Sequence, residues 1–94
     1  MEKIYMNGKA FFPQKDFMIC NVQEYEEIPS FTKPVEYERI YATKKGTFYK
    51  VKKERGKTEA CIISKQDALC FLYENAAYIV TENYDAVFGE PERG

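Results

Sequence analysis

The stretch TFYKVKK, residues 47–53, alternates side chains so that Tyr49 and Val51 fall on one face and Phe48, Lys50 and Lys52 on the other. A period of two is the signature of a β-strand. Turn signals bracket it, KKG before and ERGK after, so EYERIYAT and TEACIIS become its neighbours. Three antiparallel strands are expected over about residues 36–42, 47–53 and 58–63. Upstream, KIYMNGKAFF carries Asn7-Gly8, the dipeptide that suits a two-residue turn in which both positions need positive φ. Short strands over about 3–6 and 9–12 should pair there. Pro13 closes the second because it cannot donate to a ladder, and DFMICNV, residues 16–22, reads as a third strand completing a small β-meander.

Residues 23–35, QEYEEIPSFTKPV, contain Pro29 and Pro34 with no steady period, and predict a loop crossing between two halves of one domain. Beyond the third hairpin strand the period changes. Ser64 stands three residues before Asp67, a capping-box-like start to a helix over about 65–78. Ala68, Leu72, Ala76 and Ile79, with Leu69 and Phe71 beside them, form the stripe that should lie on the sheet. Thr81 is placed to cap a last short helix, ENYDAVF, whose Tyr84, Val87 and Phe88 face inward and which Gly89 and Pro91 stop. The expected fold is α+β: a single domain with a twisted antiparallel sheet of five or six strands, one helix packed on a face and a short C-terminal helix.

Ninety-four residues suit one domain with a modest core. Eight Tyr and seven Phe make the apolar content unusually aromatic, so most of these rings are expected to be structural. No apolar run approaches the roughly 20 residues of a membrane-spanning helix, and MEKIYMNGKAFF lacks the apolar core of a signal peptide, so the expected location is cytoplasmic. Cys20, Cys61 and Cys70 are odd in number and without C-x-x-C spacing, and read as reduced, buried thiols.

The chain has no His, which removes the commonest general base and zinc ligand together with Ser-His and Cys-His nucleophile pairs. Its glycines form no phosphate-binding motif and its cysteines no zinc pattern, so no catalytic residue, cofactor or metal is expected. Charge is banded instead. Glu24 to Glu38 holds five Glu against one Lys, while Lys44 to Lys57 holds seven basic residues against Glu54.

Two candidate contact surfaces follow. Glu24, Tyr25, Glu26 and Glu27 offer carboxylates and an aromatic anchor to a basic protein groove. Phe48, Lys50, Lys52, Lys53 and Arg55 offer a ring among cations, an arrangement that can stack on a base beside a phosphate backbone. Each also has a plain structural explanation. Acidic loops are common, and lysines keep the outer side of a soluble hairpin wet. The pI near 5.5 argues against a dedicated nucleic-acid domain.

YATKKGTFYKV, ISKQDALCFLYENA and YDAVFGEPE together resemble short proteins of phages and other mobile elements of Gram-positive bacteria. Those proteins share a strand, a Gly hairpin, a further strand, an S-x-x-x-A-x-x-x-L helix and an acidic F-G-x-P/I-E tail; the likeness spans about residues 37–92. Proteins of this kind often act by occupying a host protein, anti-CRISPR inhibitors being the best-known class. The resemblance implies a non-catalytic module, monomer or homodimer, that blocks a bacterial protein or ribonucleoprotein complex such as a CRISPR effector. The alternative is a small nucleic-acid-binding accessory protein that uses the basic hairpin 44–57.

Overall fold

The computed structural model describes residues 3–28 and 31–89; the side chains of 24–28 and 31–35 lie outside that description. The chain is α+β, with a two-stranded antiparallel sheet, β1 (Ile4–Met6) and β2 (Lys9–Phe11), separate from a four-stranded one. The larger sheet runs in chain order through β3 (Phe17–Ile28), β4 (Phe31–Ala42), β5 (Phe48–Glu54) and β6 (Lys57–Ile63), every pair antiparallel. Helices α1 (Lys65–Glu74) and α2 (Thr81–Phe88) follow, with a 3-10 turn, Ala76–Tyr78, between them.

Turn chemistry explains the hairpins. Asn7 and Gly8 both have positive φ, 50° and 73°, as the expected turn requires. Arg55 and Gly56, at 51° and 79°, repeat that geometry between β5 and β6. The expected single sheet of five or six strands does not form because the chain reorients after β2. The Phe12 carbonyl accepts from the N–H groups of Lys15 and Asp16, at 2.9 and 3.2 Å, in a tight turn. That turn lays the β1–β2 hairpin across the large sheet instead of along its edge, and β3 pairs with β4 rather than completing a meander.

Both faces of the sheet are therefore covered. On one, Ile19, Cys20, Ile40, Ala42 and Phe48 meet Ala68 and Leu72 of α1, with Tyr84, Val87 and Phe88 of α2 packed alongside. On the other, Tyr41, Tyr49 and Val51 meet Met6 and Phe11 of the small hairpin. Tyr49 is the hub of this second cluster: its ring stacks on Tyr41 with centroids 5.2 Å apart and tilts against Phe11 at 5.1 Å. Its hydroxyl donates to Asp16 Oδ2 at 2.6 Å, tying the sheet to the turn after β2.

The segment expected as a loop, 23–35, is strand over 23–28 and 31–35. Its residues include Tyr25, Ile28, Phe31, Thr32 and Val35, all strand formers. Glu24 pairs with Glu36 but Tyr25 with Pro34, which leaves Val35 as the extra residue of a β-bulge. Pro34 is tolerated at that irregularity because β5 pairs with β4 only from Tyr37 onward, so its missing N–H removes no bond to a neighbour on that side. Pro29, the other breaker, lies outside the described residues.

Ser64 caps α1 as expected, its Oγ accepting from the Asp67 N–H at 3.0 Å. The helix stops earlier than its stripe suggests, at Glu74 rather than residue 78. Asn75 ends it, with its N–H donating to the carbonyls of Phe71 and Leu72 and its side-chain amide donating to Phe71 as well. Ala76 is exposed, and Ile79 bridges to Cys20 on the outer edge of β3. Thr81 is the first residue of α2 and not its cap; Val80 takes the cap position and donates its N–H to the Ile19 carbonyl at 3.0 Å. Pro91 lies outside the described residues. Among the described residues no helix is long and apolar enough to cross a membrane.

The thiols depart from expectation. Cys20 is buried, but Cys61 and Cys70 are exposed because β6 borders the sheet and Cys70 lies on the outer side of α1. Thiol titration with a disulfide reagent should therefore find two fast-reacting groups in the native chain and a third only in denaturant. Three fast thiols would contradict the packing of Ile79 and α1 over Cys20.

Candidate functional site

The basic hairpin does not present the surface its sequence suggests. Phe48 is only 6% exposed and stacks beneath Phe88 of α2, centroids 5.6 Å apart, so its face is not open to a base. The alternation in β5 was legible, but the face carrying Phe48, Lys50 and Lys52 is the one the helices cover. Lys50 lies beside α1, its ammonium 5.6 Å from the Phe71 ring centroid.

The charges there are also answered. Glu38 sits opposite Lys52 in the β4–β5 register and its carboxylate lies 3.8 Å from Lys50 Nζ and 4.0 Å from Lys52 Nζ. Glu54 lies 3.7 Å from Lys52. These partly exposed pairs add little stability, each about 0–1 kcal/mol, but they cancel the positive stripe. Lys53 follows strand alternation to the opposite face, in register with Tyr37, and Arg55 occupies the hairpin turn. The five residues thus divide among two faces and a turn. A cavity of about 310 Å³ at that end mixes Lys52, Arg55 and Lys57 with Glu54 and Glu59.

The acidic candidates have a different setting. Glu24, Tyr25, Glu26 and Glu27 belong to β3, paired with Glu36, Pro34, Lys33 and Thr32 of β4, while their side chains fall outside the described residues. Pairing of β4 with β5 ends at Tyr37 and Lys53. Residues 24–28 and 31–36 therefore form a two-stranded arm that outruns the rest of the sheet by about 17–20 Å. Among the described residues no third strand pairs with it.

Arg39, which the sequence reading passed over, secures the base of the arm. Its Nε donates to Asn21 Oδ1 at 2.8 Å and its Nη2 to Gln23 Oε1 at 2.7 Å. Its guanidinium lies 3.8 Å from the centroid of the Tyr37 ring. One side chain thereby holds two β3 residues and one β4 residue just before the strands leave the sheet. Asn21, Gln23, Tyr37 and Arg39 share a face by alternation, a signal available once β3 and β4 are known to pair.

A second feature missed in the linear reading is a cavity where Lys9 and Lys15 meet Lys44 and Lys45. The displaced ionisation at Cys20 and Tyr49 is structural. Burial pushes the Cys20 thiol up, partly opposed by a hydrogen bond from the Asn21 backbone. Burial, then the Asp16 carboxylate, raises the Tyr49 hydroxyl. No cluster of Cys, Asp or Glu among the described residues has the form of a metal site.

Comparison with known proteins finds no matching family model, no matching curated protein and no matching solved structure.

Proposed function

We propose that this chain is a non-catalytic binding protein that occupies a bacterial nucleic-acid-handling complex, of which a CRISPR effector is one example, and that the β3–β4 arm is its contact. The observation that supports the reading most is the arm itself. Among the described residues no further strand pairs with either margin of this ribbon, and unpaired strand edges are a liability for a protein unless a partner covers them. Its sequence is acidic, with Glu24, Glu26 and Glu27 in one strand and Glu36 in the other against Lys33. Carboxylates on a projecting ribbon address the same basic grooves that bind phosphates, speeding encounter and orienting the arm on entry. The likeness of residues 37–92 to phage and mobile-element proteins suggests the kind of partner, and rests on its motifs alone.

The test is capture from a bacterial lysate after nuclease treatment, comparing the intact chain with two variants. Glu24→Lys/Glu26→Lys/Glu27→Lys should lower partner recovery by about tenfold or more, as reversal of a charged contact does. Lys53→Glu/Arg55→Glu, at the end of the neighbouring hairpin, should retain it. Undiminished recovery with the arm variant would remove the arm as the contact, and loss with the hairpin variant would move the site to residues 44–57.

A further inference from the structure

The cavity of about 650 Å³ beneath the β1–β2 hairpin is bounded by two turns that are distant in sequence. Lys9 and Lys15 come from the first hairpin and the turn after it, Lys44 and Lys45 from the connection between β4 and β5. In a chain of net charge −1, four lysines line this cavity against a single acid, Asp16, and that carboxylate already accepts from the Tyr49 hydroxyl. The ion pairs found among the described residues all lie at Glu38, Lys50, Lys52 and Glu54, and none involves these four lysines.

The walls suit a ligand that is part anion and part flat and apolar. Ala10, Phe11 and Phe12 line one side. The half-buried Phe12 ring has the Lys15 and Lys3 ammonium groups 5.4 and 5.8 Å from its centroid. Thr43 and Thr47 add hydroxyls; Thr43 Oγ1 accepts from the Thr47 N–H at 3.1 Å, which leaves its own O–H to donate. The Gly46 N–H donates to the Thr43 carbonyl at 3.0 Å, closing the turn that carries Lys44 and Lys45. A concave surface of one sign over apolar walls concentrates counter-ions, and a volume within the roughly 300–1,000 Å³ of small-molecule sites exceeds what a lone inorganic anion fills.

We propose that this cavity binds a phosphorylated nucleoside unit, its phosphates on Lys9, Lys44 and Lys45 and its base against the Phe12 side. The unit can come from a free nucleotide or from a single strand, one base lying against Phe12 and the phosphates around it on the lysines, and the chemistry is the same. The site lies apart from the acidic arm, so its failure would leave the arm reading untouched, and the reverse.

Fluorescence anisotropy with a labelled oligothymidylate of about ten nucleotides, near the ~4–16 nucleotide footprint of small single-strand binders, tests it. Calorimetry with ATP forms the second arm. From about 50 mM salt upward, oligonucleotide affinity should fall with a log–log slope of about −2 to −3, as three or four phosphate contacts on a single strand predict. Lys9→Glu/Lys44→Glu should weaken binding about tenfold or more, and the neutral Lys9→Gln/Lys44→Gln should make the slope shallower by about 1.4 while keeping the native circular dichroism. Lys53→Glu, on the far end of the sheet, should leave affinity within about twofold. ATP binding with the same lysine dependence identifies the free nucleotide as ligand; oligonucleotide binding alone identifies the strand. Absence of binding in both arms, or binding indifferent to Lys9 and Lys44, overturns the proposal.

Discussion

Tyr49→Ala is expected to remove about 3–5 kcal/mol of folding stability, as large aromatic deletions in a packed core do. Whole domains are stable by only about 5–15 kcal/mol, so this variant should be unfolded or close to it at moderate temperature. Tyr49 is fully buried, joins Phe11 and Tyr41 in one ring cluster, and is a point where hairpin and sheet meet. Tyr49→Phe keeps the ring and loses the 2.6 Å bond to Asp16, and should cost about 1.5–3 kcal/mol, the range for hydrogen bonds to charged groups. Urea midpoints measure both. An alanine variant no weaker than the phenylalanine one would mean that the hairpin does not pack on the sheet.

Alkaline titration is expected to expose the same contact. Burial and the Asp16 carboxylate hold the Tyr49 proton in the folded chain well past the ordinary tyrosine value of 10.0, whereas the unfolded chain releases it there. Below that value both states are protonated and the contribution is complete. Above it the folded state binds one more proton than the unfolded state, so stability falls by about 1.4 kcal/mol per pH unit from this group. Cys20, raised by burial above its ordinary 9.0, adds a loss of the same sign from a lower pH. Urea midpoints followed from about pH 7 to about pH 11 should bend downward, and Tyr49→Phe should remove the part that begins near 10. Identical profiles for the two proteins would contradict the burial of that hydroxyl.

Local chemistry was the legible part of this chain. Asn7-Gly8, the KKG and ERGK turns, the Ser64 cap and the period of two in β5 each act within a few residues, and each is where the sequence puts it. Residues 23–35 were not, because a proline reads as a breaker unless the strand beside it is known to be missing. Pro34 is acceptable only since β5 ends before reaching it, a fact of tertiary arrangement. The fate of Phe48 has the same origin. Alternation grouped it with Lys50 and Lys52, but which layer covers that face depends on where the chain returns after Ile63, and α2 returns over Phe48. The lysine cavity joins residues 9–15 to residues 43–47, and no window along the sequence brings them together.

The most direct test of the arm as the contact is backbone amide exchange on the complex recovered from nuclease-treated lysate, compared with the free chain. Slowed exchange is expected across residues 23–28 and 31–36, with little change from Lys52 to Lys57. Protection confined to Lys52–Lys57, with the arm exchanging as in the free chain, would contradict it.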